Sequence, residues 1–303
     1  FMSTFLCFLY MLPASLYRYD WMITLQDIVA YALFLYFALS LVMKKNYSMM
    51  FWMITLTWIA VGVSTVVLGE RTLIISYGKR AVKGVAFLAF FDRKLKEKNV
   101  DFLRIIYFSL ELMIFVNFIT IFLYPEGMYV SGAYSQNYFI GNRNAHIRWE
   151  LPALCIKMAY DRLKKNNNRL SLNFYILYAV SAISAIRVES ATSIILLAVF
   201  AIFVVLEQSQ FFHYLVKKIN VPPIASLMVL VAGTIIVVGG TIASNQIFAL
   251  KYILQFFNKS STLTGRANIW ISALASINRR LFLGYGYETS DMISMNLVGT
   301  TGW

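Results

Sequence analysis

The chain has 303 residues, of which 59% are hydrophobic and only 14% are charged, and its mean hydropathy is +0.66. Soluble domains carry about 25% charged residues, so this composition excludes an ordinary soluble protein and predicts an integral membrane protein. The formal net charge of +13 comes largely from short basic clusters beside apolar segments. Because membrane topology and anionic lipid headgroups explain such clusters, we expect the lipid bilayer, and no nucleic acid, as their partner.

Apolar segments recur along most of the chain. A helix needs roughly 20 apolar residues to cross a bilayer, and the clearest candidates are residues 1–16, 21–43, 49–69, 102–123 and 222–243. Shorter or interrupted candidates are residues 73–91, 149–159, 172–186 and 191–206. The fold class predicted is an all-α integral membrane protein, with a helical bundle of about nine spans in residues 1–243 and an extracytoplasmic, partly interfacial helical loop in residues 244–303.

Lysine and arginine concentrate in every second loop between these segments. The clusters are Lys44 and Lys45, then residues 93–98, then 162–169, then Lys217 and Lys218. The positive-inside rule places such loops in the cytoplasm. The remaining loops, at residues 17–20, 70–71, 124–148 and 187–190, and everything after residue 244, are therefore predicted to face outward.

The segment at residues 73–91 is interrupted by Lys79, Arg80 and Lys83. Lys79 and Lys83 share one helical face, and Arg80 reaches Lys83 at a spacing of three. One interpretation is a cationic stripe that lines an aqueous cavity and binds a polyanionic substrate. The alternative is a bent or partial span whose long side chains extend to the interface.

The outer loop at residues 124–148 combines aromatic and polar side chains. Its aromatic residues could stack on sugar rings, while Arg143, Asn144 and His146 could form hydrogen bonds to hydroxyl groups or phosphate. His146 is also the one histidine predicted to lie outside, and so a candidate catalytic base. The alternative is an interfacial aromatic belt with turn-forming asparagine and glycine.

Arg187 lies between two short apolar segments, near membrane depth. A charge there costs about 3 kcal/mol unless it is paired or faces water, which makes Arg187 a candidate functional residue. Pairing with Glu189 is the structural alternative, although side chains two positions apart do not meet on a helix.

Arg266 stands at the predicted start of an amphipathic helix that continues to about residue 281. The amino end of a helix favours anions, so a cation at that position is unfavourable unless an anion binds. Arg266 is therefore the strongest candidate for chemistry. Arg279 and Arg280 are near the carboxyl end, where the helix dipole accommodates them without a ligand.

Arginine predominates in the outer loops and lysine in the inner ones. A guanidinium group fits phosphate oxygens through two parallel hydrogen bonds, whereas an ammonium group acts as a point charge. The pattern predicts a phosphate or pyrophosphate ligand outside; the alternative is anchoring of helix ends at the interface. With two cysteines and two histidines in no metal-binding spacing, we expect no metal and no cofactor.

Thr-Gly-Arg at residues 264–266, Trp270 four residues later, and Gly-Tyr-Gly at residues 284–286 resemble the bacterial polysaccharide polymerase and O-antigen ligase superfamily. Residues 139–146 and the serine-rich segment 190–193 look like further parts of the family pattern. The resemblance implies a metal- and nucleotide-independent glycosyltransferase of the bacterial plasma membrane. Such an enzyme transfers a polyprenyl-pyrophosphate-linked oligosaccharide to an acceptor glycan on the outer face.

In this resemblance Arg266 matches the family arginine that binds the pyrophosphate, and Arg187 is a looser match. The family histidine that follows Gly-x-Gly has no counterpart before Trp303, which predicts either that the native protein continues beyond that residue or that the chain as given is inactive. Other polysaccharide export and chain-length-control proteins are expected partners. Two alternatives remain: a ligase that moves a finished glycan, and a lipid-linked glycan transporter whose path is lined by residues 79–83.

Overall fold

The computed structural model describes residues 2–42, 46–68, 71–96, 100–131, 134–165 and 170–207, together with residues 276, 280 and 284–288. The chain divides into two compact units, Phe1–Ile202 and Phe203–Trp303. Almost all described residues belong to the first unit. The predicted span at residues 222–243 and the segment around Arg266 lie outside the described residues.

Helices dominate the described part of the chain. They are α1 (Met2–Tyr10), α2 (Asp20–Val42), α3 (Met49–Leu68), α4 (Arg71–Lys96), α5 (Val100–Leu123), α6 (Ile147–Lys165), α7 (Leu172–Arg187) and α8 (Ala191–Glu207).

Three of these helices are long and apolar enough to cross a membrane: Asp20–Leu41, Met49–Val67 and Val100–Leu123. They coincide with three of the longest predicted segments. Helices α7 and α8 are apolar but shorter. The described residues thus contain three candidate spans, and the larger number of about nine crossings stays a prediction.

The first apolar segment is not one continuous helix, as its length predicted. Helix α1 ends at Tyr10, and a short 3-10 turn follows at Leu16–Arg18. Pro13 lies between them, and proline disfavours helical conformation both at its own position and before it. The turn is tied to other elements, because Ser15 donates its backbone N–H to the Phe139 carbonyl (3.2 Å) and Gln26 of α2 donates to the Leu9 carbonyl (2.7 Å).

The segment between α5 and α6 contains a three-stranded antiparallel sheet, so the predicted all-α class is corrected to a mostly helical protein with a small sheet. The strands are β1 (Tyr129–Ser131), β2 (Tyr134–Tyr138) and β3 (Gly141–Asn142), in the order β1-β2-β3. Tyr129 pairs with Asn137, and Tyr138 pairs with Gly141. Paired strands satisfy backbone groups that an irregular loop would leave to water.

Helix α5 packs against α1, α6 and α7, while α4 packs against α2 and α3. The end of the α6–α7 pair opposite the sheet is fixed by Asp161, which is almost fully buried. Its carboxylate accepts hydrogen bonds from Lys157 (2.7 Å) and from the backbone N–H (3.0 Å) and hydroxyl (2.5 Å) of Ser171. A buried carboxylate with three donors is fully compensated, so this contact holds the two helices in register.

Candidate ligand site

A cavity of about 900 Å³ opens between the end of α1, the 3-10 turn, the sheet and the first turns of α6. This volume is within the range of about 300–1,000 Å³ that is typical of small-ligand sites. Its lining includes four aromatic side chains, two arginines, two asparagines and an apolar floor: Tyr10, Tyr17, Tyr129, Trp149, Arg18, Arg148, Asn137, Asn142, Leu110, Pro152 and Ile156.

Arg18 and Arg148 are the cations that line this cavity, and both side chains are exposed. The guanidinium carbon of Arg18 lies 5.0 Å from the centre of the Tyr129 ring. Burial raises the pKa of Tyr129, and the charge of Arg18 partly offsets that effect. Stacking on an aromatic face orients a guanidinium group while its N–H donors stay available.

The sheet wall of the cavity is positioned from α5 and from its own turn. Asn117 accepts a hydrogen bond from the backbone N–H of Ile140 (3.1 Å). Asn142 accepts backbone hydrogen bonds from Asn144 (3.1 Å) and Ala145 (3.0 Å). Short polar side chains of this kind stabilise turns by binding the backbone two or three residues ahead, and here they carry the chain from β3 into α6.

Tyr138 is buried outside the lining of this cavity. The Tyr138 ring packs against Ile121 and Val188, and its hydroxyl donates to the Pro125 carbonyl (3.1 Å). Burial raises the pKa of Tyr138; the charges of Arg187 and Arg143 act to lower it, and the charge of Glu126 acts to raise it.

Arg187 is the last residue of α7, and its side chain is exposed. Glu189 lies beyond the helix with a left-handed backbone (φ 54°). Within the described part of the chain no ion pair joins Arg187 to Glu189. Pairing with Glu189 therefore does not explain the position of Arg187 at the carboxyl end of α7.

His146 is fully buried and does not line the cavity. Its ring lies edge-on against Tyr138, with centroids 5.6 Å apart. Burial lowers its pKa from 6.5 to about 4, although the nearby Gly141 backbone acts weakly in the opposite direction. The ring nitrogens make no hydrogen bond of good geometry. Because the imidazole does not line the cavity, it would not contact a ligand bound there.

Lys79, Arg80 and Lys83 do not line this cavity. Lys83 forms an ion pair with Asp27 of α2, and about a quarter of each side chain is exposed. Lys79 and Arg80 are exposed on α4. The ion pair with Asp27 therefore accounts for Lys83, which is the least exposed of the three cations.

Sequence reasoning counted Arg18 and Arg148 among the outward arginines but did not single them out. In the sequence only their residue type indicated a role, because 130 positions separate them. The turn after α1 brings both to the lining of one cavity. Asn144 contributes a backbone donor to the turn described above. No group of three potential metal-binding side chains occurs within the described ranges.

Neither family models nor curated proteins nor solved structures gave a match to this chain.

Proposed function

We propose that this protein polymerises a surface polysaccharide by glycosyl transfer on the outer face of the bacterial plasma membrane. The donor would be an oligosaccharide on a polyprenyl pyrophosphate, and the acceptor a glycan hydroxyl. The observation that carries the proposal is that Arg18 and Arg148 open onto one cavity together with aromatic and amide side chains. Guanidinium groups suit a pyrophosphate, and aromatic rings and amides suit a sugar.

In the proposed reaction the acceptor hydroxyl oxygen attacks the anomeric carbon of the donor sugar. The bond from that carbon to the pyrophosphate oxygen breaks, and polyprenyl pyrophosphate leaves with its electron pair. The acceptor proton passes to a base that is not His146 in the arrangement described here. Negative charge grows on the leaving oxygen, and positioned guanidinium groups stabilise such charge more strongly in a site of low dielectric.

The floor of the cavity suits the lipid part of this donor. Leu110 of α5 and Pro152 and Ile156 of α6 line it, and α5 is one of the candidate spans. A polyprenyl chain could therefore follow α5 into the bilayer while its pyrophosphate stays at the arginines. Arg143 and Arg187, whose charges act on Tyr138, add further positive charge to the same compact unit.

The ion pair between Lys83 and Asp27 favours glycosyl transfer over transport. A transporter of lipid-linked glycans would use the cations of α4 to line a path. A lysine that already neutralises a carboxylate on α2 is better explained by helix packing.

The test is to replace Arg18 and Arg148 singly by alanine in the intact protein in its bacterial host. The expected result is loss of polymer and accumulation of single lipid-linked repeats, with Arg148→Lys less severe than Arg148→Ala. Arg104→Ala, which changes another exposed arginine on α5, serves as the matched control and keeps normal polymer. Polymer of normal length and amount in both cavity variants would overturn the proposal, provided that immunoblots show equal protein levels.

A further inference from the structure

A second cavity, which the proposed function does not use, lies between α1, α2 and α4. Its volume is about 340 Å³, at the lower end of the range for small-ligand sites. It is lined by Leu6 of α1, by side chains of α2 and α4, and by Tyr47 just before α3. One wall of the cavity is formed by α2, which is a candidate span.

The interior of this cavity is apolar and the rim is basic. Phe37, Ala86 and Ala89 form buried parts of its wall, while Arg93 and Lys94, in the last turn of α4, stand at one end. Among the described residues, no acidic side chain lines it. An apolar wall with cations at a single end matches a molecule that has a hydrocarbon chain and one anionic group.

Arg93 is held in place at this rim. Its guanidinium group donates a hydrogen bond to the Tyr36 hydroxyl and lies 5.1 Å from the centre of the Tyr36 ring. A guanidinium group has five N–H donors, and the Tyr36 hydroxyl accepts one of them. A restrained arginine loses less side-chain entropy when it binds an anion.

We propose that this cavity binds an anionic phospholipid, with one acyl chain between α1, α2 and α4 and the phosphate at Arg93 and Lys94. The distribution of lysine predicts that this end of α4 faces the cytoplasm, where the leaflet carries anionic lipids. Basic pockets between transmembrane helices on that side bind anionic headgroups in other membrane proteins. A free anion would not need the apolar wall, and a neutral lipid would not need the basic rim.

The test uses the purified protein in detergent, with phosphatidylglycerol, phosphatidylcholine and glycerol phosphate as separate additions. Native mass spectrometry would count bound lipid, and thermal unfolding would report stabilisation. We expect one tightly held phosphatidylglycerol and a clear rise in unfolding temperature, with little effect of phosphatidylcholine or of glycerol phosphate. Equal binding of the two lipids, or stabilisation by glycerol phosphate alone, would overturn the proposal.

Two kinds of variant make the assignment specific. Arg93→Gln with Lys94→Gln removes the charges of the rim and is expected to abolish the preference for phosphatidylglycerol. Ala86→Leu fills the apolar wall and is expected to reduce binding of phosphatidylglycerol at least tenfold. Lys164→Gln, an exposed cation at the end of α6, controls for net charge and should bind as the wild type does. If this control loses phosphatidylglycerol to the same extent as the rim variant, the cavity is not the site.

Discussion

The side-chain carbonyl oxygen of Asn117 in α5 accepts a hydrogen bond of 3.1 Å from the backbone N–H of Ile140, between β2 and β3. Both residues are almost fully buried. This contact connects a candidate membrane span to the sheet that forms one wall of the candidate ligand cavity. The shape of the cavity therefore depends on a buried polar residue in a mostly apolar helix.

Replacing Asn117 by leucine is expected to lower the stability of the protein by about 1–3 kcal/mol, because the buried Ile140 N–H loses its acceptor. Hydrogen exchange at that amide should accelerate, and thermal unfolding should begin earlier. Thr120→Val is the matched control, since it removes a longer contact of 3.4 Å to the neighbouring Phe139 N–H. An effect of Thr120→Val as large as that of Asn117→Leu would show that the Ile140 contact is not special.

Gly141 is predicted to tolerate no side chain. Its φ of +125° is strained for other residues, and an added Cβ would lie 3.2 Å from the Ala145 Cβ and 3.5 Å from the Ala14 Cβ. Gly141→Ala should therefore destabilise the sheet by about 1–3 kcal/mol and weaken ligand binding in the cavity. Gly78→Ala, in α4 with open space around it, should stabilise by up to about 1 kcal/mol. Thermal unfolding of the two variants tests the contrast, and a shift in the same direction would contradict it.

The buried His146 predicts a loss of stability in mild acid. Its pKa falls from 6.5 to about 4 on folding, so between these values the unfolded chain binds more protons than the folded one. Stability from this group is complete above pH 6.5 and decreases as the pH falls toward 4, by at most about 3 kcal/mol.

His146→Gln should remove this part of the pH dependence of the unfolding temperature. His213→Gln, which changes the other histidine of the chain, should retain it. An unchanged pH profile in His146→Gln would mean that the imidazole is not buried in its neutral form.

The ion pair of Lys83 and Asp27 predicts a coupled effect of mutation. Lys83→Met leaves the Asp27 carboxylate without its partner and should cost about 1–3 kcal/mol, between the values for exposed and buried pairs. Adding Asp27→Asn should recover most of that loss, whereas Lys79→Met should have little effect. Thermal unfolding of the wild type, Lys83→Met, Asp27→Asn and the double variant gives the coupling energy, and additive effects of the two substitutions would contradict a stabilising ion pair.

The apolar segments at residues 21–43, 49–69 and 102–123 predicted helices that the structure places at nearly the same bounds. Length and uniform hydropathy determine such helices locally, because every backbone group bonds within the helix. The predicted extent of the first helix was wrong, because the prediction followed the hydropathy of residues 1–16 and not the helix-breaking effect of Pro13. The sheet was missed because its strands are short and alternate weakly between polar and apolar residues.

The candidate site was predicted less well than the helices. The predicted roles of Arg143 and Arg187 stay predictions, and the structure shows only that the charges of both lower the pKa of Tyr138. Arg18 and Arg148 were not singled out, because only the turn of the chain after α1 places both of them at one cavity. His146 was a candidate because it is a titratable group in a polar loop. Its burial depends on packing against Tyr138, which the sequence pattern does not indicate.

The contact between Asp161 and Ser171 has a practical consequence for labelling. These residues hold α6 to α7 through direct hydrogen bonds. We therefore expect the two helices to stay together when the connection between them is lengthened. An epitope or protease recognition sequence inserted at residues 166–168 would therefore leave the pair assembled. Antibody access or cleavage in sealed vesicles would then report which compartment this end of the protein faces.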